Sequence, residues 1–135
     1  MDIKQNDATY NRPAGERILD APWIFTDLEV VREQLKSEKA WDKNDRNGIT
    51  IFKTDQMTSV VTILKEGAEI SENSVDGLLV LQLISGKVVV TTGGSPFELN
   101  PGQLLHLHEA VEHSITANEE TMLLLTTYMK GTSVL

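Results

Sequence analysis

From Gly48 onward the chain is broken at short, regular intervals by turn signals, and this spacing constrains the fold more than any other feature. The signals are Lys65-Glu-Gly67, Ser85-Gly86, Gly93-Gly94, Asn100-Pro-Gly102 and Asn118-Glu-Glu120. Between them the chain alternates apolar and polar residues or carries short apolar runs. That pattern predicts strands near Ile49–Lys53, Ser59–Leu64, Ala68–Ser71, Leu78–Leu83, Lys87–Thr92, Ser95–Leu99, Gln103–His108, Glu112–Ala117 and Met122–Thr127. Many short strands at even spacing imply an all-β domain, a jelly roll or small barrel.

The N-terminal third reads differently, and the chain divides near Asn47-Gly48. Residues 1–47 are expected to form an extended N-terminal arm, polar and irregular to about Phe25, followed by one short helix. Thr26 and Glu29 have the spacing of a capping box, in which each side chain satisfies the other's free backbone donor. Leu28, Val31 and Leu35 then follow at helical spacing, and Lys36, Lys39 and Lys43 lie where the helix dipole favours cations. Residues 48–135 form the barrel, against which the arm packs, either on its own barrel or on that of a partner subunit.

Composition removes several function classes. The 135 residues carry 12 basic and 20 acidic side chains, a net charge of −8, so nucleic acid and anionic lipid are not expected partners. With no cysteine there is neither a disulfide frame nor thiolate chemistry. No apolar run approaches the roughly 20 residues of a membrane span. No basic start leads into an apolar segment of the signal-peptide kind, and a cytoplasmic location is the default expectation.

The segment Leu78-Leu-Val-Leu-Gln-Leu-Ile84 is apolar on both faces apart from Gln82. A strand open to water on one side alternates instead. Leu79, Leu81 and Leu83 would fill the barrel, while Leu78, Val80 and Ile84 still need cover. Ile18, Leu19, Trp23, Ile24 and Phe25 are available for this, and so is a second subunit. A homodimer is therefore expected.

The glycine spacing carries a resemblance. From Gly67 to Gly86 the chain resembles the first cupin motif, G-x5-H-x-H-x3-E-x6-G, with no insertion or deletion. The two histidine positions fall on Asn73 and Val75, and the glutamate position on Leu79. The second motif, G-x5-P-x-G-x2-H-x3-N, matches loosely from Pro101-Gly102 to Ala117. Its proline, glycine and histidine positions fall on His108, Ala110 and His113. The segment from Trp41 to Thr50 also resembles the lead-in to the barrel in small bacterial cupins. The resemblance implies a cupin-type jelly-roll β-barrel and a metal site reduced to one of four ligands, His113.

Asn73 offers only an amide oxygen, and Val75 and Leu79 cannot coordinate, so no cofactor is expected at the inherited position. The reading this favours is a metal-free protein that holds a small organic ligand in the barrel. Asn73 and His113 would be its polar handles and Leu79 and Leu81 its apolar walls. In family terms such domains act as sensors or accessory parts of regulatory systems. Two alternatives stay open, and with them the question of whether the protein is an enzyme. One is an isomerase or dioxygenase using a divalent transition metal on His106, His108 and His113, with help from Glu109 or Glu112. The other is a filled-barrel structural or partner-binding dimer. Leu105 and Leu107 alternate with His106 and His108, the pattern of a strand whose leucines face the core and whose histidines face solvent.

Overall fold

A computed structural model gives the fold; it describes residues 3–73 and 76–129, and of residues 72 and 73 the backbone only. Val75 lies outside the described residues. The all-β expectation holds. From Arg46 onward the described residues build two facing antiparallel sheets. The larger has the order β3 (Arg46–Lys53), β4 (Met57–Leu64), β11 (Thr121–Met129), β6 (Gly77–Ser85), β9 (Leu104–Leu107). The smaller runs β5 (Glu69–Asn73), β10 (His113–Ala117), β7 (Val88–Thr92), β8 (Ser95–Leu99).

Each predicted strand is present, with ends shifted by up to three residues. The turn glycines explain why the spacing was legible. Gly86 has φ +94°, and a Cβ there would collide with Glu120 O and Thr121 Oγ1, so no other residue fits. Thr121 Oγ1 instead accepts from Lys87 N at 3.2 Å, closing the turn between β6 and β7 onto the start of β11.

Strand alternation separates two apolar layers. Leu79, Leu81 and Leu83 of β6 face inward and pack with Val88, Val90, Ile115 and Leu123, filling the space between the sheets. Each such side chain contributes roughly 1.5–3 kcal/mol through removal from water. On the outer face of the larger sheet, Leu35 and Trp41 pack on Ile49, Val61, Ile63 and Met122, with Ile84 and Leu124 at the margin. These two side chains come from α1 (Leu28–Ser37) and α2 (Lys39–Lys43).

Several expectations for the N-terminal third need correction. The cap of α1 is Asp27, not Thr26: its carboxylate accepts from Glu29 N at 3.0 Å and Val30 N at 3.4 Å. An acid at this position adds a favourable charge at the positive end of the helix dipole, alongside Glu29 in the first turn. The arm is not irregular throughout, since β1 (Lys4–Asn6) and β2 (Arg17–Asp20) form a hairpin. Arg17 Nε donates to Thr50 O of β3 at 2.8 Å. With β3 starting at Arg46, the strand begins just ahead of the Asn47-Gly48 division.

Arm, helices and barrel meet at one buried carboxylate. Glu38, at the junction of α1 and α2, accepts from Arg12 Nε at 3.0 and 3.1 Å, from Asn47 Nδ2 at 3.1 Å and from Gln34 Nε2 at 3.3 Å. Burial alone would raise its pKa. The hydrogen bonds from Arg12, Asn47 and Gln34, with the Arg12 charge, outweigh that and hold it below the ordinary carboxylate value.

Candidate functional site

His113 opens β10, between β5 and β7 in the smaller sheet. The register sets its side chain opposite Thr92 and Asn73 and on the same face as Ile115 and Ala117, which is the inner face. It is 4% exposed, the buried imidazole of the barrel. Its Nδ1 lies 3.1 Å from Val111 O. A carbonyl only accepts, so Nδ1 carries a hydrogen, and in the neutral form of the ring Nε2 is then the acceptor. Nε2 has no hydrogen bond among the described residues.

The loop before β10 shapes this end of the barrel. Ala110 has φ +61°, a left-handed conformation costly for a residue with a Cβ. It occupies the glycine position of the second motif, so the backbone shape is kept although the residue has changed. Thr92 Oγ1 donates to Glu112 O at 3.0 Å, pinning the loop to the end of β7.

His113 also borders an open cleft of about 610 Å³ at the Gly93-Gly94 turn, bounded by Glu69, Ser71, Thr91, Glu112 and Ser114 among others. Thr91 pairs with Ser114 and Glu69 with Thr116, alternating with the inward residues, so the cleft lies on the outer face of the smaller sheet. Among the described residues its polar side chains are carboxylates, hydroxyls and His113, with no lysine or arginine.

The sequence-predicted residues fare unevenly. Asn73 comes into register with His113 through the backbone; its side chain is outside what is described. Leu79 and Leu81 are core, 5% and 0% exposed, packed among side chains of both sheets. His106 is exposed on the outer face of the larger sheet opposite Val80, and His108 is exposed just beyond β9. The structure thus places His106 on the opposite side of its sheet from the interior that His113 faces. Among the described residues no group of three His, Asp or Glu side chains is positioned to share a metal ion. Nor does the donor set at the inherited positions fit one, because Leu79 supplies no lone pair and stands within the apolar core. The left-handed Ala110 and the cleft at Gly93-Gly94 escaped the sequence reading. Only the motif's glycine position, filled by alanine, hinted at the first.

No protein-family model matches the chain, and no curated protein matches it in sequence. Solved structures do. A cupin superfamily protein from Desulfitobacterium hafniense superposes with a TM-score of 0.63 at 18% identity, over 64% of this chain and 80% of that one. A conserved protein of unknown function from Streptococcus pyogenes gives 0.66 at 17% identity, over 84% of this chain and 93% of that one. The cupin domain of an XRE family transcriptional regulator from Enterobacter cloacae gives 0.58 at 16% identity, over 65% of this chain and 100% of that one. Residues 46–135 make up about two thirds of the chain, so the Streptococcus match must also take in part of the N-terminal hairpin or helices. No helix among the described residues is long and apolar enough to cross a membrane. Two facing antiparallel sheets, the glycine-closed turns and these superpositions together give the chain the cupin fold.

Proposed function

We propose that the protein is a metal-free binding protein that takes a small organic molecule at the open end of the barrel, beside His113. The observation that carries this reading is the state of His113: buried, its Nδ1 committed to Val111 O, and its Nε2 without a hydrogen bond to any described residue. A buried polar group without a protein partner calls for one from outside. A ring nitrogen that accepts favours a ligand that donates to it, a hydroxyl or ammonium compound. A sensory or accessory role fits the same geometry, and the superposable cupin domain in a transcriptional regulator is one setting in which such a domain occurs.

A filled-barrel, partner-binding protein is the second reading, favoured by the packing of Leu81, Leu83 and Leu123 between the sheets. The two separate in an amide NMR screen against a panel of monosaccharides, amino sugars and short polyamines. Saturable shifts confined to β10 and the Gly93-Gly94 turn, with affinity at least ~10-fold weaker in folded His113→Ala, are the expected result. No shift with any compound, and no small molecule released on denaturing freshly purified protein, would favour the filled barrel.

A further inference from the structure

Arg12 and Arg17 tie the N-terminal hairpin to the edge of β3, and neither guanidinium is used up in doing so. Arg12 Nε and Nη2 face Glu38, and Nη2 also donates to Gly48 O at 2.7 Å and Asn47 Oδ1 at 3.3 Å. Arg17 donates from Nε to Thr50 O and from Nη1 to Gly15 O, each at 2.8 Å. Arg12 Nη1 and Arg17 Nη2 have no hydrogen bond among the described residues. Both side chains line one cleft of about 300 Å³, with Asn6, Asp7, Thr9 and Asn11 at its rim. The loop that carries Arg12 is closed on itself. Thr9 N and Gly15 N donate to Arg12 O at 3.0 and 2.9 Å, and Arg12 N donates back to Thr9 Oγ1 at 3.1 Å. A Cβ at Gly15 would come within 2.7 Å of Arg12 Cγ, so the glycine leaves the room this closure needs.

We propose that this cleft holds a small oxyanion, a carboxylate or phosphate group, between Arg12 and Arg17. Two half-buried guanidiniums meet one buried carboxylate here, which leaves one positive charge in excess. Burial and the Arg12 charge lower the pKa of Arg17, and Glu38 offsets this only in part. An anion between the two cations relieves that repulsion. Guanidinium N–H groups make strong, charge-assisted hydrogen bonds to carboxylate and phosphate oxygens, and these two are already held in place by their other bonds. The hydroxyl of Thr9 and the amides of Asn6 and Asn11 stand at the rim for a ligand's remaining polar groups. Asp7 opposes an anion, but it is exposed and water weakens its charge. The net charge of −8 acts from farther off and is screened by salt beyond about 8 Å. The volume is at the lower end of small-molecule sites. This cleft lies against the β3 edge of the larger sheet, whereas His113 belongs to the smaller one, so the two sites are tested separately.

Arginine side-chain ¹⁵Nε NMR of the full chain tests this, with inorganic phosphate and acetate titrated separately at pH 7 and constant low ionic strength. Saturable shifts of Arg12 and Arg17 are expected with at least one of the two, at a Kd on the order of 1 mM or tighter. Saturation by phosphate alone assigns a phosphate-type ligand, and saturation by acetate a carboxylate. Arg17→Gln should weaken binding at least ~10-fold. That variant also loses the bond to Thr50 O, so two rim variants keep the test decisive if the hairpin comes loose. Neither the Asp7 nor the Asn11 side chain makes a hydrogen bond among the described residues. Asn11→Asp should weaken binding about 3-fold and Asp7→Asn should tighten it by a similar factor. No saturable shift with either anion at tens of millimolar overturns the proposal and leaves the arginines as ties of the hairpin. A Kd that neither rim variant moves overturns it equally.

Discussion

Ala110 and His113 are three residues apart and show what a changed side chain leaves behind. Ala110 keeps the left-handed backbone at a position where the motif has glycine. Relieving that conformation gains about 1–2 kcal/mol, and the freer unfolded chain of a glycine takes some of it back. Ala110→Gly is therefore expected to stabilise by about 0.5–1 kcal/mol and raise Tm by roughly 2–4 °C in a thermal melt. A lower Tm would mean that the loop relaxes out of the left-handed region. The site was partly legible at this scale. The motif resemblance set Asn73 and His113 at two ligand positions, and the register of β5 on β10 puts them opposite each other. The resemblance did not show that Nδ1 of His113 bonds Val111 O, since loop shape and ring orientation depend on contacts that spacing does not encode.

At the scale of elements, Glu38 holds hairpin, helices and barrel together. Its folded pKa is depressed, so its contribution is present above the unfolded carboxylate value of about 4.3 and is lost as pH falls toward and through the folded value. Glu38→Gln should cost on the order of 2 kcal/mol near neutral pH, through the weakened pairing with a half-buried Arg12. The variant's stability should also vary less than the wild type's across the acid range, as urea melts at pH 7 and pH 4 would show. An equal loss at both pH values would assign the role to shape alone. Few of these contacts were legible. The barrel strands follow from local patterns of period two, whereas the Arg12–Glu38 and Arg17–Thr50 contacts span 26 and 33 residues and leave no periodic trace. The cap was misplaced by one residue because Thr26 and Asp27 both suit the position, and the geometry of the turn selects between them.

For the whole molecule, the change of period at Gly48 and the closing glycines were enough to give the two-sheet architecture. Which outward apolar residues remain bare was legible only in part, since Leu78 stays exposed and Ile84 does not: α1 covers one side of the larger sheet, and sequence does not fix its angle. The proposed function requires that this cupin fold has given up the metal position and holds the buried His113 ring for an outside hydrogen-bonding partner. Side-chain ¹⁵N NMR of the three histidines, recorded with and without one equivalent of Zn(II), tests it most directly. The account predicts that His113 shows a protonated Nδ1 and a bare Nε2 in both spectra. A concerted shift of His106, His108 and His113 that saturates at one equivalent would contradict it and restore a metal centre.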